Sequence, residues 1–528
     1  MREESQASDK QDPTLRSRKF WRWIGFAAVL TVVVLLVVAQ ILIKRAEPIL
    51  KGRVVETLST RFGSKVELND LQVAHGLAVE GHGLRIFPPD DVIKAGATQP
   101  IIAIQKFDFR ASIVGLFLRP MHVGTVYVQG LAIQIPPREM RQQANSGARH
   151  FGKIKIVVDK IVCEDSQLVI GTAKPNKDPK VFVLKQIEMH DVGPNSPWPY
   201  EAVLTNAIPT GEIRAKGSFG PWDTEDPGNS QVNGKYVFDH ADLNTIKGIS
   251  GILHSVGSFN GQLDRIAVQG TTDVPNFSLD TANHDVPLVT SFSAIVDGTS
   301  GDTYLQPVQA KLGASDFTCR GAIINVKGKG HIIDLDVDVP AGKIEDFLQL
   351  AVKTQPAIMS GILGTKTKLH IRPGKESVSQ KMTLQGNFTL QQIHFTNADV
   401  QDKVDILSLR AQGSPEEAKP GAEDVTSRMT GKFAMGQRKL NFSELDYTLP
   451  GANVRLNGLY SLDGNQFDFT GKVRTNAKLS QMVASKWKSL LLKPVDPFFH
   501  KHGAGAEIPI KITGTKSAPK FGLDLRKK

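Results

Sequence analysis

The stretch 331-HIIDLDVDV-339 decides the fold: Ile333, Leu335, Val337 and Val339 alternate with Asp334, Asp336 and Asp338. Side chains along a strand point to opposite faces with a period of two, so this segment reads as a strand with one dry face and one wet face, as in antiparallel sheet. The habit recurs in both directions. Phe107 and Phe109 alternate with Asp108 and Arg110; Val126, Val128, Ile133 and Ile135 alternate around Gly130; Val454 and Leu456, Phe467 and Phe469, and Ile508, Ile510 and Ile512 repeat it. A second signature accompanies the strands: a glycine, any residue, then a large apolar residue, at Gly217/Phe219, Gly234/Tyr236, Gly257/Phe259, Gly321/Ile323, Gly386/Phe388, Gly431/Phe433, Gly458/Tyr460 and Gly471/Val473. Its spacing is irregular, which excludes a strict solenoid and reads as turn glycines feeding successive hairpins.

Helical periodicity is confined to a few places. Leu50, Val54, Leu58 and Phe62 predict an amphipathic helix over 48–62, ended by Gly63, which either lies on a membrane surface or plugs the start of the sheet. Ile344, Phe347, Leu348 and Ala351 form a second stripe, Val400, Val404, Leu407 and Ala411 a third, and 478–492, with Leu479, Met482, Val483, Leu490, Leu491 and Trp487, a fourth. Loops are expected at 1–15, 174–180, 221–230 and 413–424, the last (GSPEEAKPGAED) being the best internal linker.

The N-terminal segment has a different character. From Trp23 to Ile43 the chain reads WIGFAAVLTVVVLLVVAQILI, without a charge or a proline, and 14 of its residues are Val, Leu, Ile or Phe. A bilayer core of about 30 Å needs about 20 apolar residues, and these 14 favour insertion by roughly 6 kcal/mol. The run is too long for a signal-peptide core of about 7–15 residues, and Ala39-Gln40-Ile41 is a poor cleavage site. A transmembrane helix is expected, with Trp23, Phe26, Leu30, Leu35, Leu36 and Ile43 in the membrane. Arg16, Arg18, Lys19 and Arg22 precede it and Lys44, Arg45, Lys51 and Arg53 follow, so flanking charge alone does not orient it.

The chain of 528 residues carries 64 Lys and Arg against 53 Asp and Glu, a formal charge of +11. No basic run with interleaved aromatics, helix-turn-helix pattern or zinc-finger spacing accompanies that excess, so a dispersed basic surface is favoured over nucleic-acid binding. Cys163 and Cys319 lie far apart and read as two separate thiols rather than a disulfide. The chain lacks HExxH, GxSxG, Walker A and a GxGxxG opening a helix. The pair His500/His502 has no third metal ligand nearby, and 297–302 reads as a hairpin loop rather than a calcium turn. No enzyme and no cofactor are expected.

The block RAEPILKGRVVETLSTRFGSKVELNDLQV after the anchor, VYVQGLAIQI at 126–135 and the closing AEIPIKITGTKSAPKFGLDL at 506–525 resemble the AsmA-like family of Gram-negative envelope proteins, relatives of TamB; GPW at 220–222 and VDGTSGDTYL at 296–305 fit the same pattern. The resemblance implies a mainly β chain: a cytoplasmic tail 1–22, a transmembrane helix 23–43, a long curled antiparallel sheet over 44–412 forming an apolar groove in the periplasm, a linker or loop 413–424, and a further β-region 425–528. About 22 strands at about 4.8 Å would make a groove of roughly 105 Å. The implied partners are phospholipid acyl chains, the inner membrane and other envelope proteins. The expected role is phospholipid transport to, or homeostasis of, the outer membrane, with a scaffold for outer-membrane protein assembly as the alternative. Val126, Val128, Ile333, Leu335, Val337, Val339, Val454 and Leu456 are the expected groove lining.

Overall fold

A computed structural model of the chain describes residues 63–74, 78–110, 121–135, 156–170, 180–193, 197–221, 227–485, 505–515 and 518–523, with Val33 and parts of 48–60 and 488–499. The expected transmembrane residues Trp23, Phe26, Leu30, Leu35, Leu36 and Ile43 lie outside this set, as do His500 and His502. Among the described residues no helix is long and apolar enough to cross a membrane.

Among the described residues, twenty-four strands form one sheet, curled into a half-barrel. It is a meander: with few exceptions each strand pairs with its neighbours in sequence, from Val66–Ala74 at one end to Ala518–Leu523 at the other. One exception is the two-residue strand Ile249–Ser250, which pairs with the far end of Arg265–Leu279. The other corrects the expectation of a wholly antiparallel sheet: Met121–Ile135 and Ile156–Ile170 run parallel, Val126 opposite Ile161 and Val128 opposite Cys163. A parallel neighbour needs a crossover rather than a hairpin.

The two long edges of the trough, made by the strand ends, are built differently. One edge carries mostly short turns, such as 327–329 between Ser315–Val326 and Gly330–Lys343 and 437–438 between Ser427–Gly436 and Lys439–Leu449. The other carries the larger inserts. The second and third expected helical stripes are helices there, Ile344–Ala351 and Ala398–Gln412. Asn397 caps the latter by accepting a hydrogen bond from the Val400 amide at 3.1 Å, and Gly413 ends it in the left-handed region at φ 91°. Ile344 and Phe347 pack with Leu363, Leu390 and Ile393, while Ala411 packs with Val425, Leu449 and Ala452. The fourth stripe is not one continuous helix: Leu479–Met482 is a single 3₁₀ turn followed by extended Val483. The segment 413–424 is a loop between two strands that pair with each other, Met382–Phe395 and Ser427–Gly436. Residues 297–302 are a hairpin loop in which the Asp297 carboxylate accepts from the Thr299 and Ser300 amides at 2.8 and 3.2 Å.

The first strands hold the largest core. Val66, Leu68, Leu71, Val79, Leu84, Ile86, Phe107, Val128 and Cys163 are buried together, and Val54, Val55 and Leu58 of the helical segment within 48–60 pack against them. Of the two roles expected for that helix, plugging the start of the sheet is the one seen. Lys51 also donates to the Asn69 carbonyl at 2.8 Å, tying the helix to the first strand.

Candidate functional trough

Register lets one face be followed from strand to strand. Val128 lies opposite Cys163, Cys163 opposite Ile187, Ile187 opposite Ala202, Ala202 opposite Ala215, and Ala215 opposite Tyr236. Further on, Leu305 faces Gly321, then Leu335, Leu369, Leu384, Met435 and Leu440 in turn. All eight residues expected to line a groove fall on this one face, but their burial differs. Val128, Val339 and Val454 are buried; Val126, Ile333, Leu335, Val337 and Leu456 are half-buried. From Trp198–Ala207 through Phe467–Thr475, register and alternation place no Asp, Glu, Lys or Arg on it.

This uncharged face is hollow where the sheet closes over itself. Leu263, in the turn after Ile252–Gln262, packs with Ile133, Leu168, Phe182 and Ile266, so residues of the same face from strands far apart in the sheet meet across the trough. A second bridge joins opposite edges of the sheet. The Val378 amide donates to the Lys247 carbonyl at 2.9 Å, and Arg438 reaches the Asp280 carboxylate at 3.1 Å and the Ser379 hydroxyl at 2.7 Å. Asp280 ends the hairpin edge next to Arg265–Leu279, whereas Ser379 and Arg438 lie on the edge opposite, five and more strands away. The trough is therefore bridged at two levels along its length.

The Gly-x-apolar signature explains how a sheet can curl this tightly, and it corrects the reading of turn glycines. Gly217, Gly234, Gly257, Gly321, Gly386, Gly431, Gly458 and Gly471 all lie inside strands, on the hollow face. A Cβ on Gly257 would stand 2.4 Å from the Gln269 carbonyl and 2.7 Å from the Tyr236 ring; on Gly431 it would stand 2.6 Å from the Glu444 carbonyl and 2.9 Å from the Phe388 ring. Glycine lets the neighbouring strand's backbone approach closely, and at Gly234, Gly257, Gly431 and Gly458 an aromatic ring also lies against the gap. The signal was in the sequence, because a glycine and an apolar residue two positions on share a face. In the strands of the C-terminal half the rings form a chain, Phe433, Phe388, Phe442 and Phe469, with centroids 6.1 Å apart at each step.

The opposite face carries the charges, paired across strands: His370 with Asp334 at 2.6 Å, Lys366 with Asp338 at 3.5 Å, Lys432 with Glu444 at 3.1 Å, Arg455 with Asp446 at 2.8 Å, and Lys472 and Arg474 both with Glu507 at 2.8 Å. The aspartates of 331–339 are members of this ladder. Among the described residues, clefts of about 1680, 950, 900 and 360 Å³ are all lined chiefly by residues of this side, the first by Arg320, Asp336, Lys366, Lys368, Lys432 and Asp468 among others. A strongly twisted sheet is saddle-shaped, so its outer side can be hollow as well; alternating polar residues in the sequence gave no sign of this. On the same outer side Lys106 holds the Glu80 carboxyl below its ordinary range, and Lys160 does the same for Glu188.

Inside, burial pushes the Cys163 thiol and the Tyr200 phenol each up to about 12. Cys319 lies on the hollow face opposite Val337, while Cys163 sits in the core of the first strands; both are free thiols. Among the described residues no group of three His, Cys, Asp or Glu is placed to hold a metal ion. No family model, curated protein or solved structure matches the chain.

Proposed function

We propose that this chain is a lipid-binding trough of the AsmA-like type, anchored in the inner membrane by Trp23–Ile43 and projecting into the periplasm, where it assists phospholipid transport to, or homeostasis of, the outer membrane. The observation that carries the reading is the separation of the two faces: a hollow face free of charge across the strands from Trp198–Ala207 to Phe467–Thr475, with half-buried apolar residues such as Leu335 and Val337, and a ladder of ion pairs on the outside. Half-buried apolar area gains free energy when an acyl chain covers it, about 25 cal/mol per Å², whereas a fully packed core has nothing left to gain. The full chain, extracted in mild detergent and washed, is expected to carry phospholipid by mass spectrometry. Protein free of lipid would contradict the reading. A reporter fused after Lys528 is expected to be active in the periplasm; activity confined to the cytoplasm would reverse the orientation.

One observation favours a scaffold for outer-membrane protein assembly instead. The chain of rings from Phe433 to Phe469 covers part of the hollow face with contacts between neighbouring side chains. A lipid-free chain that still supports assembly of outer-membrane proteins would select that reading.

A further inference from the structure

The hollow face carries a polar row that crosses adjacent strands. Ser255 lies opposite Thr272, and Thr272 opposite Thr290, so three hydroxyls stand side by side on adjacent strands. Tyr236 joins them from the strand before, its hydroxyl 3.2 Å from that of Ser255. Ser255 donates onward to the Thr271 carbonyl at 2.9 Å, and the Thr272 and Thr290 hydroxyls are 2.6 Å apart. Apolar side chains border the row on one side, Val274, Leu288 and Leu312, and Gly257 and Gly270 border it on the other. In the Thr272–Thr290 pair two hydroxyls share one hydrogen bond. One O–H is left to donate, and both side chains are half-buried, facing the trough.

We propose that this row is a subsite for the uncharged oxygens of a glycerolipid, the ester carbonyls or a free hydroxyl, with the acyl chains lying on the apolar lining beside it. The assignment rests on the trough reading above. A donor with hydrogen-bonding capacity to spare suits a carbonyl oxygen. A phosphate would have to shed its water on a face that offers no cation, at a cost far above that of an uncharged ester. The charged part of a phospholipid is therefore held outside the row. A pair of threonines across two strands also stabilises a sheet by itself, and that purely structural role would affect every ligand alike.

The test uses the full chain in detergent with two fluorescent probes of equal chain length, a diacylglycerol and a plain hydrocarbon. T272V/T290V keeps the shape and β-branching of both side chains and removes their hydroxyls. It is expected to bind the diacylglycerol about five-fold more weakly, the effect of a lost hydrogen bond or two, and the hydrocarbon unchanged; T272S/T290S is expected to restore the difference. Equal losses for both probes, or no loss, overturn the proposal. Should the double variant fail to fold, T290V and Y236F singly carry the same comparison. Hydrocarbon binding by the wild type without preference for the diacylglycerol removes this subsite alone; no binding of either probe removes the trough reading with it.

Discussion

The start and the middle of the sheet use one alternating pattern for different purposes. In the first strands Val66, Leu68, Phe107, Val128 and Cys163 are closed over by a helix and are at most 9% exposed. In the middle, Ile333, Leu335 and Val337 stand on the same face, in the same alternation, and remain half-buried. What separates the regions is what lies above the strands. At the start, Val54, Val55 and Leu58 complete a core; further along, the two longer helices lie at one edge, where Leu363 and Leu390 are buried beside Ile344–Ala351. The first region is a foundation, and the second keeps apolar surface in reserve.

That contrast can be broken most forcefully by large-to-small changes. Phe107→Ala, in the filled core, is expected to cost about 3–5 kcal/mol in denaturant unfolding. The same change made twice separates packing from size: Val128→Ala in that core should cost about 2–3 kcal/mol and half-buried Val337→Ala about 1 kcal/mol; equal losses would mean that the trough is as tightly packed as the core. Gly431→Ala falls between them, at about 1–3 kcal/mol, because its new methyl meets the Glu444 carbonyl and the Phe388 ring. A neutral Gly431→Ala would remove the account of the glycines as curvature sites.

Alkali separates the regions next. The Cys163 thiol is raised from 9.0 to about 12 by burial, and the Tyr200 phenol from 10.0 to about 12. Both are neutral in the folded chain where the unfolded chain would ionise. Their contribution to stability is complete below pH 9 and is lost as the pH climbs from about 9 to about 12. Unfolding followed against pH should show this fall, and Cys163→Ala should flatten the part that begins near 9. Thiol labelling of the native chain is expected to reach Cys319 before Cys163. The smallest effect is expected from the outer ladder: Asp336→Asn removes an exposed partner 3.8 Å from Arg320 and should change stability by less than about 1 kcal/mol.

Much of this was legible in the sequence. The alternation at 331–339 fixes which residues share a face, and the apolar stripes from Ile344 and from Val400 locate two helices correctly. The Gly-x-apolar signature was visible, but its role was not. A glycine two residues before an aromatic looks the same whether it starts a strand or bends one, and only pairing with the neighbouring strand shows a ring above it. The parallel pair at Val126/Ile161 was hidden for a related reason: a parallel pair with one face open to solvent alternates just as its antiparallel neighbours do. The bridge from Asp280 to Arg438 joins residues 158 positions apart and depends on how far the whole sheet coils, which no local pattern encodes. The hydroxyl row was missed because Ser255, Thr272 and Thr290 are each unremarkable alone and become a row only in register.

The most direct test places a photo-crosslinking side chain at single positions of the full chain in native membranes: Leu335 or Val337 in the trough, Val128 in the filled core, and Asp336 on the outer face. The account predicts lipid adducts at Leu335 and Val337 and none at Val128 or Asp336. Adducts absent from the trough, or equally abundant on the outer face, would contradict it.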